Sequence, residues 1–391
     1  MALQSRSPQR PDDLVVEVEE ADAGAVAAAV QRARAAGGRW AAASALERSA
    51  ALVAAADALA GAAAEVTELM VREVGKPVSE AIAEVARGVG ILRYYAQQAL
   101  DPDGETYPGP GPAALLMARR RPRGVVGLIT PWNFPVAIPL WKAAPALAFG
   151  NAVVLKPSPD STAVALRLAE LLAPVLPDGL FRVVPGGAET GTALVERVDC
   201  VSFTGSVAVG HRVAVAATER GIPSQAEMGG LNASIVLPDA DPERAAGVVA
   251  GAAMGYAGQK CTATSRAIVV GDPAPFTEAL VAAVQGLKTG DPADASTVVG
   301  PVITEPARDK VLAAAQEAAA AGGRLLTGGE TGDGGGWFVA PTLVDGLAPD
   351  ARLAQEEVFG PIAVVLAVAD EDEAVRVANG VRYGLVGSVF T

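Results

Sequence analysis

Hydrophobic positions along this chain change period partway through. From about Glu19 to Leu100 apolar residues recur every three or four positions, as in LERSAALVAAADALAGAAAEVTELMVREV, which predicts helices. Gly75-Lys76-Pro77 breaks the pattern, and SEAIAEVARGVGILRYYAQQAL resumes it with Ser79 as the expected N-cap. In DPDGETYPGPGPAALLMARRRPRG, dense Pro and Gly flank a short ALLMARRR run, so residues 104–121 are expected to form a protruding hairpin. After Arg123 short β-branched runs take over: VVGLIT (125–130), NAVVLKP (151–157), LFRVVPG (180–186) and DCVSFTG (199–205), separated by STAVALRLAELLAPVL and SVAVGHRVAVAATER. A second alternating series starts near Gln225, with NASIVLP, TSRAIVVGD and FVAPTLVD as strands and AAGVVAGAAMGYAG and PARDKVLAAAQEAAAAGG as helices. Such alternation implies βαβ units, parallel sheets, and ligands at the carboxyl ends of the strands. The fold class expected is therefore α/β with two Rossmann-like parallel-sheet domains. Residues 1–103 with 122–226 would form one, residues 227–391 the other, with a cleft between them.

Composition narrows the function. At 391 residues the chain is long enough for two or three cores, and 51% apolar with only 4% aromatic residues makes those cores mostly Ala, Val and Leu. A net charge of −13 argues against nucleic acid, whose binding needs clustered basic charge. One histidine and two cysteines offer no metal-ligand set and no disulfide framework, which fits a reducing compartment. MALQSRSPQRPDD lacks the apolar segment of a signal peptide and is expected to be a frayed lead-in. The longest uncharged apolar run, Ala245 to Gly258, falls short of the ~20 residues of a spanning helix. A cytoplasmic protein without membrane contact is the expectation.

Five stretches carry residues with chemistry, each open to a plainer role. FTGSVAVG (203–210) ends a strand and opens a helix, where backbone N–H groups can hold a phosphate, or simply make a tight turn. Lys156 ends NAVVLKP, placed to pair with a ribose or phosphate, or to sit in solvent. TPWNFP (130–135) fixes Asn133 between prolines, so its amide could donate to an oxyanion or merely close an Asx turn. Glu227 stands among small apolar neighbours in QAEMGGLNASIV; partial desolvation would raise its pKa towards general-base range, and a surface position is the alternative. Cys261, in GYAGQKCTATSRAI, is a core filler, a partner for Cys200, or a nucleophile with the Lys260 cation favouring its thiolate.

Taken together, TPWNFP, VVLKPSP, FTGS, EMGGLN, GQKCTATSR and EEVFGPI (356–362) resemble the aldehyde dehydrogenase superfamily in order and spacing. Asn133 and Lys156 are 23 positions apart, and Glu227 and Cys261 are 34 apart, as in the family pattern. The resemblance implies that Cys261 is the nucleophile, that Asn133 and the Cys261 N–H hold the oxyanion, and that Glu227 activates water to hydrolyse a thioester. It also gives Lys156 a place among the catalytic residues. The dinucleotide would contact Ile129, Thr130, Pro131, Trp132, Lys156, Ser158, Pro159, Gly205, Ser206, Gly210, Met228, Gly229, Glu357 and Phe359. The hairpin implies oligomerisation, as a homodimer or homotetramer if the C-terminus is present, and no metal is implied.

Two departures from the pattern matter. NAD-preferring members often carry Glu where this chain has Pro159, so NADP should be accepted, with NAD possible. The chain also stops at Thr391 just after YGLVGSVFT, earlier than the family pattern, so the catalytic domain is expected to be incomplete at its C-terminus. The substrate implied is a small carboxylate-bearing semialdehyde: Lys260 beside the thiol would attract a second carboxylate, and GQKCTATSR is similar to the motif of 2-oxoglutarate semialdehyde dehydrogenases. Alternatives are a coenzyme A-acylating relative, disfavoured by Glu227, or a non-catalytic remnant that binds cofactor.

Overall fold

The computed structural model describes residues 2–111 and 113–391, and the chain divides into two compact units. One unit holds the residues up to Ser5, 15–69 and 82–227, and the other 6–14, 70–81 and 228–391.

The N-terminus corrects an expectation. It is no frayed lead-in: β1 (Ala2–Ser7) and β2 (Arg10–Glu19) form a two-stranded sheet. Along β1 burial alternates, with Leu3, Ser5 and Ser7 on the inner side. Serines at buried positions leave no hydrophobic alternation to read. Gln9 Nε2 donates to Val71 O at 2.9 Å, and Arg72 grips Asp13 with N–H bonds of 3.0 and 2.6 Å.

Helices α1 (Ala23–Ala42), α2 (Ala45–Gly61), α3 (Ala63–Val74) and α4 (Val78–Gln98) follow. Ser44 and Glu47 form a reciprocal capping box at the start of α2. Ser79 is not the cap of α4, because the helix already starts at Val78. Gly75, at φ +64°, ends α3, and Pro77 sets the backbone for the next helix two residues earlier than a Ser79 cap would. Strands β3 (Gly104–Tyr107) and β4 (Leu116–Arg119) pair antiparallel as the expected hairpin, with Leu115 and Met117 largely exposed.

The rest of this unit is β5 (Val125–Ile129), α5 (Ala137–Ala148), β6 (Ala152–Lys156), α6 (Thr162–Leu172), β7 (Phe181–Val183), α7 (Ala188–Val195), β8 (Cys200–Gly205), α8 (Val207–Glu219) and β9 (Ser224–Met228). The sheet order is β7-β6-β5-β8-β9, and β5 runs parallel to both β6 and β8. Every residue of β5 and β6 is buried, as unbroken apolar runs in a helix-covered parallel sheet should be. After β7 the chain returns to lay β8 on the other side of β5. The switch point of the strand order therefore lies between β5 and β8, where open α/β sheets bind ligands.

The second unit carries β10 (Asn232–Val236), α9 (Pro242–Met254), β11 (Thr264–Val270), α10 (Ala274–Gln285), α11 (Glu305–Ala320), β12 (Arg324–Thr327), β13 (Thr342–Asp345), α12 (Arg352–Gln355), β14 (Ile362–Val368), α13 (Glu371–Asn379) and β15 (Gly387–Phe390). Its sheet order is β12-β13-β14-β11-β10-β15, parallel except for the β12–β13 pair. Its core is built from Val, Leu, Ile and Ala, with Ile268, Leu343 and Val364 fully buried. Both sheets meet the α/β expectation.

Candidate active site

In the first unit the candidate residues gather at the carboxyl ends of the strands. Thr130 follows β5 and donates its N–H to Lys156 O at 3.2 Å, tying the TPWNFP turn to the end of β6. The turn is held from below by Glu84, buried on α4. One of its carboxylate oxygens accepts both Val136 N–H and Ala137 N–H at 2.9 Å. Val136 has no side-chain cap of its own, so Glu84 supplies the negative charge that the start of α5 favours. Asn133, 3% exposed, is fixed within that turn.

Lys156 is buried, and its ammonium donates to Pro157 O and Gly186 O at 2.7 Å each. Burial pushes it down to about 8, opposed by the Glu20 and Asp160 charges. Ser158 Oγ donates to Asp160 at 3.3 Å, and Pro159 opens a 3-10 turn through Ser161. Asp160, one residue beyond Pro159, is therefore a carboxylate close to the strand-end lysine, raised by its own burial. Gly205 closes β8, and Ser206 precedes α8 without any side-chain cap, leaving the first N–H groups of the helix available. Gly210 is buried within α8. Ile129 is the last buried residue of β5, while Pro131 and Trp132 are half-buried beyond it.

The fit of a dinucleotide to these residues can be tested on one atom. Thr130 Oγ1 is buried at the switch point with no hydrogen-bond partner among the described residues. Such a group is costly unless something else pairs with it. An uncapped helix start, a buried lysine and an orphaned hydroxyl together suit a phosphate- and hydroxyl-bearing ligand.

Glu227 corrects a second expectation. Its side chain is exposed, because it lies on β9, the edge strand of the sheet. The apolar neighbours in sequence do not enclose it; its carboxylate accepts from Gln225 Nε2 at 2.7 Å.

In the second unit the candidate residues sit at the amino ends of the strands. Cys261 precedes β11, Gly229 and Gly230 lead from Met228 at the end of β9 into β10, and Glu357 and Phe359 lead into β14. The loop before Cys261 is strained: Tyr256, Ala257 and Gly258 take φ of 55°, 52° and 64° in succession. Left-handed backbone at two non-glycine residues costs on the order of 1–3 kcal/mol each and persists only where the surroundings impose it. Here they do. Tyr256 is fully buried, donates from its hydroxyl to Val74 O at 3.2 Å, and carries the Lys76 ammonium 4.7 Å from its ring centre. Gln259, also fully buried, donates to Tyr256 O and Pro301 O and accepts from Ile303 N–H at 2.8 Å. Asn232 donates to Cys261 O and Ala263 O at 2.8 Å each. A Cβ on Gly258 would lie 2.2 Å from Gly360 O, so only glycine passes there. Cys261 is half-buried, and neither cysteine is in a disulfide.

Lys260 gives a third correction. It is not a free cation beside the thiol: its ammonium pairs with Glu80 at 2.7 Å. The sequence shows no sign of this, because Glu80 is 180 positions away. Glu357 is partly buried, and burial raises its carboxyl, opposed by the Gly230 N–H and by Lys310. Lys310 also donates to Glu357 O at 3.1 Å. A Cβ on Gly229 would fall 2.0 Å from Glu357 Oε2, so that glycine makes room for the carboxylate. Phe359 is held at φ +63°.

The residues missed in the sequence are those that position others: Glu84, Lys142, Gln225, Asn232, Tyr256 and Gln259. Lys142 could have been noticed as the single charge in the apolar helix AIPLWKAAPALA. It is 6% exposed and pushed down to about 8 by burial, opposed by the Glu227 charge.

Switch-point topology, an open helix start and a strained loop presenting a thiol define an α/β enzyme of the dinucleotide-binding class. The chain belongs to the aldehyde dehydrogenase family, whose pattern matches residues 2–391, and is thus an oxidoreductase acting on aldehyde groups. It is 41% identical to an alpha-ketoglutarate semialdehyde dehydrogenase from Haloferax volcanii, over 98% of this chain and 81% of that protein. An alpha-ketoglutaric semialdehyde dehydrogenase from Bacillus subtilis is 39% identical over the same shares. Among solved structures, betaine aldehyde dehydrogenase from Staphylococcus aureus in complex with NAD+ superposes with a TM-score of 0.96 at 32% identity, covering 100% of this chain and 79% of that one. The 1-pyrroline-5-carboxylate dehydrogenase from Thermus with bound NAD gives 0.95 at 34% identity, covering 100% and 78%. No single helix among the described residues is long and apolar enough to cross a membrane.

Proposed function

We propose that this enzyme oxidises a small semialdehyde bearing a second carboxylate to the corresponding acid, through a thioester on Cys261. The observation that carries the reading is the loop of Tyr256 to Gln259, strained and anchored by buried hydrogen bonds, which fixes the thiol in place. The Cys261 thiolate attacks the aldehyde carbon, and the carbonyl π pair moves to oxygen. The Asn133 amide and the Cys261 N–H donate to that oxyanion. Bound NAD or NADP supplies the acceptor for the hydride that leaves as the carbonyl re-forms. Glu227 takes a proton from water, the resulting hydroxide adds to the thioester, and the thiolate departs as the acid forms.

For the cofactor, Lys156 and Ser158 would hold the adenosine ribose, the N–H groups after Gly205 and Ser206 the diphosphate, and Glu357 the nicotinamide ribose. With Pro159 in place of a carboxylate, a 2′-phosphate meets less repulsion, so NADP is accepted as well as NAD. Support for the substrate class comes from the two semialdehyde dehydrogenases at 41% and 39% identity, and no longer from Lys260, whose charge Glu80 answers. The exposed Leu115, Leu116 and Met117 support self-association through the hairpin into a homodimer or homotetramer.

The test is a panel of succinate semialdehyde, 2,5-dioxopentanoate and uncharged aldehydes of equal length, each with NAD and NADP. Cofactor reduction should be fastest with the acids and absent from Cys261→Ala. Equal rates for the uncharged aldehydes would overturn the substrate class, and turnover within tenfold of wild type in Cys261→Ala would overturn the mechanism.

A further inference from the structure

Strand β9 places Gln225 and Glu227 two positions apart, and so on one face. There Gln225 Nε2 donates to Glu227 Oε1 at 2.7 Å, the one hydrogen bond that this carboxylate makes among the described residues. The other end of the amide is anchored. Gln225 Oε1 accepts from Lys142 Nζ at 3.1 Å and from the Ser202 hydroxyl on neighbouring β8. Lys142 reaches that face from α5 and also donates to Ser202 Oγ at 2.8 Å and Phe203 O at 3.2 Å, so all three ammonium N–H groups are used. Two donors on Oε1 settle the orientation of the amide: its oxygen faces Lys142, and its NH2 faces Glu227.

We propose that Gln225 is a positioning residue for the water-activating step, holding one carboxylate oxygen of Glu227 and leaving the other for water. This rests on the reading of Glu227 as the base. An exposed glutamate samples many rotamers, and ordering its side chain costs conformational entropy. Here the buried Lys142 sets the amide, and the amide sets the carboxylate. The intervening amide also has a chemical advantage. A lysine in direct contact would stabilise the carboxylate and weaken it as a base, whereas a neutral amide transmits the orientation without the full charge.

The experiment uses the 391-residue chain and p-nitrophenyl acetate, which needs neither cofactor nor the natural aldehyde. Nitrophenolate released in the burst reports acylation of the thiol, with Cys261→Ala as the blank, and the steady state reports hydrolysis of the acyl-enzyme. Gln225→Leu removes both contacts. Gln225→Glu keeps an acceptor for Lys142 but sets a like charge against Glu227. Both variants should keep a burst of about one equivalent at a rate within about twofold of wild type, and both should lose about tenfold in the steady state, a fraction of the 10²–10⁴ that general-base catalysis contributes. A merely structural role predicts that Gln225→Glu, with its anchor retained, hydrolyses normally, and that result overturns the proposal. Loss of the burst in Gln225→Leu overturns it too. Glu227→Gln, run in parallel, separates the two claims. If it stalls while both Gln225 variants turn over normally, positioning fails and the base stands; if it does not stall, the base reading fails and takes this proposal with it.

Discussion

The two units hold their candidate residues in opposite ways. In the first, Thr130, Lys156, Gly205 and Ser206 stand where regular strands end and regular helices begin, and none of them takes a left-handed backbone. In the second, Cys261 and Phe359 lie at the amino ends of strands, next to or within residues at positive φ. The first unit thus presents what the fold exposes anyway: strand-end carbonyls and helix-start N–H groups. The second must force its backbone, and it does so with buried polar groups, Tyr256 and Gln259, hydrogen-bonded around the loop. Disruption should therefore be cheap to absorb in one unit and expensive in the other.

The largest effect is expected at Gln259. Gln259→Ala leaves Ile303 N–H without its acceptor and Pro301 O without its donor in a fully buried site. Unmet buried groups cost on the order of 1–3 kcal/mol each, so urea denaturation should show a loss of about 2–4 kcal/mol together with loss of thiol acylation. A variant that keeps wild-type stability would break the contrast. Next comes Gly229→Ala, whose Cβ would meet Glu357 Oε2 at 2.0 Å. The carboxylate must move, and KM for the dinucleotide should rise about tenfold, near 1.4 kcal/mol, while ester acylation stays unchanged. An unchanged KM would remove Glu357 from the cofactor site.

In the first unit the effects should be graded rather than disruptive. Pro159→Glu should lower the ratio of kcat/KM for NADP over NAD several-fold, by opposing a 2′-phosphate. If the ratio holds or rises, Asp160, already close to Lys156, decides cofactor choice instead. The smallest effect is one of pH. Burial lowers Lys142 from 10.5 to about 8, so below about 8 folded and unfolded chains both hold the proton, and the cost of burying the charge is fully present. Between about 8 and 10.5 the unfolded chain binds more protons, and that cost fades as pH rises. Wild type should gain stability on Lys142→Met over that window. A difference that is flat with pH would mean that Lys142 titrates normally.

How much of this was legible in the sequence follows the same division. β5, β6 and β8 are short apolar runs ending in Thr130, Lys156 and Gly205, and a strand followed by a helix announces its own functional end. The hairpin was equally plain from its prolines and glycines. What stayed hidden depends on distant partners. Nothing around Lys260 points to Glu80, nothing around Glu227 says that β9 is an edge strand, and a first strand whose inner residues include Ser5 and Ser7 shows no apolar period. Tyr256 and Gln259 lie beside the cysteine, but only their burial shows that they hold its loop.

The central claim is that Cys261 carries the substrate as a thioester that Glu227 helps to hydrolyse. The most direct measurement is the intact mass of Glu227→Gln protein mixed with NADP and 2,5-dioxopentanoate and quenched in acid, with the modified peptide then sequenced. The account predicts one acyl group per chain, located on Cys261, after release of about one equivalent of NADPH. Reduced cofactor formed without any adduct, or an adduct on Cys200 instead, would contradict it.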